Sequence, residues 1–378
     1  MKTSIVRCWT AGALLTLAAA PGSTQGLENV AVHGFGGWAF AETDDNSYLI
    51  GNAEGAYDNA AFALNVTARP TENLSIIGQF ELQQRAEFPD LETVLDYGFA
   101  EWKFADTLRL RAGRVKHPFG LYGETFNVGT LRPFYLLPQS IYGPERYTAR
   151  SVDGGALTGN LAWGEGWSVR YDLYGGRISG RLRISGIGVP EEEPLQHGLQ
   201  EIPWGFDDVV GLRANLSTPL TGLSVGGSFY RGVATGFFSV GETEKVVGVH
   251  VEYDLEPWQV RAEWASIFDD PIVRFDTYYV EVAYKVWKGL QLAVRWDSWS
   301  GDIKLPPELL PPFVYDIQDS EDWGLAVNYW LDPGFVIKLN YHMVEGNRFA
   351  SAPVPDDQLT NGFEKDTSML VLGAQFSF

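Results

Sequence analysis

Between Arg109 and Arg150 the chain gathers Arg109, Arg111, Arg114, Lys116, His117, Glu124, Arg132, Glu145, Arg146 and Arg150. The set is basic on balance. Fixed cations around a water-filled path lower the barrier for an anion, so selective permeation is the chemistry such a set suits. Arg170, Arg213, Arg261, Arg295 and Lys338 recur further along, interleaved with Asp172, Glu252, Glu263 and Asp297, and Glu81 precedes them. Those carboxylates could pair with the arginines and stiffen a wall, and the two readings are compatible.

Other chemistries find little support. No G-x-S-x-G elbow, H-E-x-x-H pair or glycine-rich phosphate loop occurs, and His33, His117, His197, His250 and His342 are scattered. No catalytic residue is therefore assigned, and an outer-membrane barrel enzyme is the weakest reading. Cys8 is the one cysteine and precedes an apolar stretch, which excludes a disulfide framework and a thiolate site from the mature chain. The formal charge is −20, and losing Lys2 and Arg7 leaves 26 basic against 48 acidic residues, which opposes nucleic-acid binding.

The elements that must carry these residues show a period of two. In Val246 to Leu255, Val247, Val249, Val251, Tyr253 and Leu255 share one face, while His250, Glu252 and Asp254 share the other. Leu290 to Asp297 and Val336 to Met343 repeat it, with Gln291, Arg295, Lys338, Asn340 and His342 on the polar side. A closed soluble core would not accept such groups unpaired, whereas a barrel places them in an aqueous lumen and turns the apolar face to lipid. The pattern predicts about sixteen strands, near 29–40, 57–69, 72–86, 91–105, 107–116, 150–163, 166–177, 206–218, 222–235, 242–255, 258–269, 273–287, 289–301, 319–331, 334–347 and 366–378.

Connections after even-numbered strands are tight and rich in Gly, Pro and Asp, as at Glu256-Pro257, Lys288-Gly289 and Asp332-Pro333-Gly334. Those after odd-numbered strands are mostly long, notably 41–56, 117–149, 178–205, 302–318 and 348–365. This phasing puts both ends of the barrel in the periplasm and the long loops outside. Trp102, Trp163, Trp167, Trp258, Trp287 and Trp330 flank the short turns as an aromatic girdle would, although tryptophans packed in a soluble sandwich are the alternative. Residues 1–26 read as a signal peptide, with Lys2 and Arg7 before an apolar run at 11–20, leaving 27–378 as a single barrel domain of the bacterial outer membrane.

The stretch from Arg111 to Gly143, with Gly113-Arg114-Val115-Lys116 followed by Pro118-Phe119-Gly120, resembles a porin-like family of Gram-negative bacteria related to the phosphate-selective porins. The resemblance implies a passive channel for small hydrophilic solutes or ions, without cofactor, whose loop after the fifth strand folds inward and narrows the pore. On that basis Arg109 to Arg150 above form the constriction. Arg170, Asp172, Arg213, Glu252, Arg261, Glu263, Arg295, Asp297 and Lys338 then form the lumen wall. It also implies a homotrimer. The final segment, ending at Phe376 and Phe378, resembles the strand read by the barrel assembly machinery. External carboxylates at Asp44 and Asp45, Glu191 to Glu193, Asp316, Asp319, Glu321, Asp322, Asp356 and Asp357 are candidate calcium or magnesium ligands beside lipopolysaccharide, or simply solvated surface. A structural or adhesive barrel with a closed lumen is the competing function.

Overall fold

The structure is a computed structural model. The structure describes residues 29–85, 88–143, 149–185, 199–236, 241–268, 273–303, 319–346, 349–351 and 364–378. The expected signal peptide lies outside these residues.

Sixteen antiparallel strands close into a barrel. They are β1 (Val30–Thr43), β2 (Ala56–Ala68), β3 (Leu74–Arg85), β4 (Phe88–Ala105), β5 (Leu108–Lys116), β6 (Ser151–Trp163), β7 (Trp167–Ser185) and β8 (Leu199–Ser217), followed by β9 (Leu223–Gly236), β10 (Thr243–Leu255), β11 (Trp258–Phe268), β12 (Val273–Trp287), β13 (Leu290–Ile303), β14 (Asp319–Asp332), β15 (Phe335–Glu345) and β16 (Asp366–Ser377). Each pairs with its neighbours in sequence, and β1 pairs with β16 from Phe35 opposite Ser377 to Thr43 opposite Met369. Closure leaves no row of unpaired backbone groups facing lipid.

Alternation decides the two faces. On β14 the apolar Leu325, Val327 and Tyr329 are exposed, while Ala326 and Asn328 between them are buried. On β15 Ile337, Leu339, Tyr341 and Met343 point outward, and Lys338, Asn340 and His342 point in. Trp102, Trp163, Trp167, Trp258 and Trp287 lie exposed on the outer face near the short turns, with Trp163 stacked on Trp167 and Trp258 packed on Tyr284. At the turn between β12 and β13, Gly289 takes a φ of +90°, a conformation that glycine reaches at no steric cost.

The hairpin of β7 and β8 is longer than the sequence suggested. Its strands run to Ser185 and start at Leu199, where alternation predicted 177 and 206. The extension keeps a period of two, with Ile178, Gly180, Leu182 and Ile184 alternating with Ser179, Arg181, Arg183 and Ser185, but Ile178 and its partner Phe206 are buried, so these two do not mark a lipid-facing side. A second small ladder joins Ser47–Tyr48 to Ala350–Ser351, tying two external loops together.

Candidate functional site

The connection after β5 turns into the lumen. His117, Pro118 and Phe119 carry the chain inward, and Gly120 makes the bend with a φ of +64°. An added Cβ there would sit 2.1 Å from Glu263 Oε1 and 2.2 Å from the Tyr142 hydroxyl, so only glycine fits. The Gly120 amide donates to Ser228 Oγ on β9 at 3.0 Å. Phe119, Ile141 and Tyr142 then pack with Val115, Val152, Tyr174, Tyr230, Val246 and Ala265 of the wall into an apolar core inside the barrel.

Polar wall groups fasten the rest of the loop. Lys338 Nζ donates to the carbonyls of Gly129, Arg132 and Phe134 at 2.8, 2.6 and 3.2 Å. Arg295 donates to the Leu136 carbonyl at 2.9 Å and lies 4.3 Å over the Phe134 ring. Asn328 donates to the Pro133 carbonyl and Asn340 accepts from the Tyr135 amide, both at 2.7 Å. Asp297 accepts from the Gln139 and Ser140 amides, at the start of the short helix α1 (Gln139–Tyr142). The Tyr122 hydroxyl donates to Glu281 and accepts from Arg261, which also binds Glu252, and the Tyr142 hydroxyl donates to Glu263 at 2.7 Å. Most of the loop's polar anchors therefore lie on β9 to β15, while Glu124 and Asn127 reach across to Arg213 on β8 and Asp96 on β4.

A second group of arginines lies on β5, β7 and β8. Arg213 of β8 is buried between Asp172 at 3.0 Å and Glu124 of the loop at 2.9 Å. Arg170 and Arg111 approach the same Glu124 at 3.8 and 3.9 Å, and Arg111 and Arg109 meet Glu101 at 2.8 and 3.5 Å. Burial pushes the Glu124 carboxyl up, but these three arginines hold it below the usual carboxylate range. Arg170 keeps 67% of its side chain exposed and Arg109 37%, so these two remain open to water. Lys116 meets Asp96 at 2.9 Å, and Arg150 binds Glu81 and Gln83.

Three members of the expected constriction do other work. Arg114 points to the outer face and pairs with Asp153 at 2.7 Å, because Arg109, Arg111 and Val115 take the inward positions of β5. Arg132 donates to the Phe126 and Tyr135 carbonyls, bracing the loop. His117 is buried beside Phe119, Tyr174 and Tyr230, its Nε2 lies 3.0 Å from the Tyr174 hydroxyl, and its Nδ1 accepts from the Ala149 amide. Burial, helped by Arg213, lowers its pKa to about 3. Glu145 and Arg146 lie outside the described residues.

Between the loop and β1 to β5 there remains a cavity of about 480 Å³, lined by His33, Asn65, Gln79, Tyr97, Lys116, Glu124 and Asn127. Its amides and phenol are neutral and fall outside the charged set read from the sequence. Parity would have found Asn65 and Gln79, which alternate with the outward Leu64 and Phe80. Among the described residues, no group of three or more His, Cys, Asp or Glu side chains is placed to hold a metal ion. Asp44 accepts from the Ser368 amide and Asp322 turns inward to His342, whereas Glu191 to Glu193, Asp316, Asp356 and Asp357 lie outside the described residues.

A closed sixteen-stranded barrel with an apolar outer face and a loop-lined polar interior defines a transmembrane barrel of the bacterial outer membrane. No family model matches the sequence and no curated protein is similar to it. Solved structures do share its fold. The outer-membrane channel DcaP of Acinetobacter baumannii aligns over 92% of this chain and 97% of its own at 10% identity, with a TM-score of 0.57. OmpF of Salmonella typhi, solved in complex with daunomycin, matches with the same coverage and TM-score at 14% identity. The anion-selective porin from Comamonas acidovorans covers 92% of this chain and 99% of its own at 7% identity and a TM-score of 0.54.

Proposed function

We propose that the protein is an outer-membrane porin, a passive channel for small hydrophilic solutes and ions with a preference for anions. The observation that carries this reading is the cluster of arginines on β5, β7 and β8, two of which keep a third or more of their side chains exposed. There Arg109, Arg111, Arg170 and Arg213 face Glu101, Glu124 and Asp172, four cations against three carboxylates. The two most exposed arginines, Arg109 and Arg170, come no closer to their carboxylates than 3.5 and 3.8 Å, so a passing anion reaches them at little cost. Transport along such a path needs neither catalysis nor a cofactor. Phosphate selectivity is a narrower version of the same reading and draws on the same arginines.

Reversal potentials in a potassium chloride gradient test it. Anion preference is expected for the natural protein, and Glu124→Gln, which frees Arg111, Arg170 and Arg213 from their shared carboxylate, should strengthen it. Cation preference in both proteins would overturn the reading. Phosphate that slows chloride current at millimolar concentration would support the narrower version. The barrel with a closed lumen draws support from the apolar core inside the barrel, and a protein that never conducts would favour it.

The same reading includes a homotrimer in contact with lipopolysaccharide, delivered by the barrel assembly machinery through Phe376 and Phe378. One structural neighbour, OmpT of Vibrio cholerae, was solved in a trimer form. Its mass in mild detergent measures the assembly, and a monomer would remove that part.

A further inference from the structure

The cavity beside the loop differs in chemistry from the arginine wall. A relay of neutral groups crosses it: Asn65 Nδ2 donates to the Tyr97 hydroxyl at 2.7 Å, and that hydroxyl donates to Gln79 Oε1 at 2.8 Å. Gln79 and Asn127 each donate one amide hydrogen to Asp96, at 2.7 and 2.9 Å, and Lys116 reaches the same carboxylate. Both charges on the lining are thus already matched, Lys116 by Asp96 and Glu124 by its arginines. Beside the apolar Phe35, Val128 and Phe378, what the lining offers a solute is a set of oriented dipoles without net charge. Asn65 and Asn127 are only half-buried. Beyond the bonds above, the Asn65 carbonyl accepts a long bond from the Thr67 hydroxyl at 3.4 Å and Asn127 Nδ2 makes a long contact to Glu81 at 3.5 Å, both easily exchanged for a solute hydroxyl, and each carboxamide has further lone pairs or N–H capacity.

We propose that this cavity is a binding subsite for a neutral polyhydroxylated solute of mono- or disaccharide size. Its volume of about 480 Å³ admits such a molecule, and its alternating donors and acceptors suit hydroxyl groups, which act as both. A net ion gains nothing here that it does not gain at the arginines. The subsite rests on the porin reading and adds a solute class to it.

The test compares sucrose with polyethylene glycol of the same hydrodynamic radius, each added to a single channel carrying potassium chloride current. Size alone would make both block equally. The subsite predicts saturable block by sucrose well beyond that of the glycol, weakened roughly tenfold in the Asn65→Ala, Asn127→Ala double variant through two lost hydrogen bonds. The sign of that variant's reversal potential in a potassium chloride gradient should match the natural protein's, because neither residue carries charge. Equal block by sucrose and glycol, or block unchanged in the variant, overturns the subsite and leaves the porin standing. A barrel that carries no current overturns the porin reading and the subsite with it.

Discussion

Lys338 shows how a single side chain fixes the loop. It is fully buried, and its ammonium donates to three carbonyls in the segment from Gly129 to Phe134. Replacing it with methionine keeps the length but leaves those carbonyls without their donor, and each buried unpaired acceptor costs about 1–3 kcal/mol. Part of that loss is offset because a buried charge no longer has to be desolvated. We expect Lys338→Met to lower stability by about 2 kcal/mol and to raise conductance as the loop lifts. A melting temperature and a conductance both equal to the natural protein's would show that the loop is held elsewhere. His117 makes the same region sensitive to acid. Its folded pKa of about 3 lies below its ordinary 6.5, so the folded state binds the proton less readily than the unfolded one. The stability this contributes is complete above pH 6.5 and is lost as pH falls toward 3, at about 1.4 kcal/mol per unit. Thermal melts from pH 7 to pH 4 should therefore fall more steeply for the natural protein than for His117→Phe, which has no proton to gain. Parallel curves would remove His117 from the account.

At the scale of elements, the loop after β5 depends on a backbone bend that one residue permits. Gly120→Ala places a methyl group against Glu263 and Tyr142 at a positive φ, for an expected loss of at least about 2 kcal/mol. Gly78→Ala on β3 is the control, since its added methyl meets nothing within 4 Å and should change stability by less than about 0.5 kcal/mol. Equal melting temperatures for the two variants would show that the bend is not tightly held. The strands were legible in the sequence because lipid on one side and polar groups on the other impose a period of two. Beyond Arg177 the period persists, but Ile178 is buried rather than turned to lipid, so the hairpin's extension did not read as part of the lipid-facing pattern. The loop was legible as a long connection rich in charge, but its contacts were not. Lys338, Arg295 and Asp297 could be assigned to the lumen by parity, yet nothing in one dimension says that they bind loop carbonyls and amides rather than solute. Arg114 misled for a related reason. A charged residue close to a loop resembles a pore residue until the strand parity around Val115 turns it to the outer face, where Asp153 meets it.

For the whole molecule, the decisive event is closure, because an open barrel exposes two edges to lipid. The seam runs along β1 and β16 and ends at Phe378, whose backbone exchanges two hydrogen bonds with Gly34 at 3.0 and 2.8 Å. The Phe378 ring covers Gly34 so closely that a Cβ there would fall 2.2 Å from it, and Phe62 stacks on the ring with centroids 6.4 Å apart. Packing alone would make Phe378→Ala lose about 1 kcal/mol of aromatic contact, a small fraction of what sixteen paired strands contribute. Such a loss would slow refolding in detergent and accumulation in the outer membrane to a similar, modest degree. If the assembly machinery reads Phe378, the two measurements part: refolding in detergent stays near the natural rate while the folded barrel in the outer membrane, measured by its heat-modifiable migration, falls severalfold. That divergence is the outcome expected here. Matching small effects in both would assign Phe378 to the seam alone.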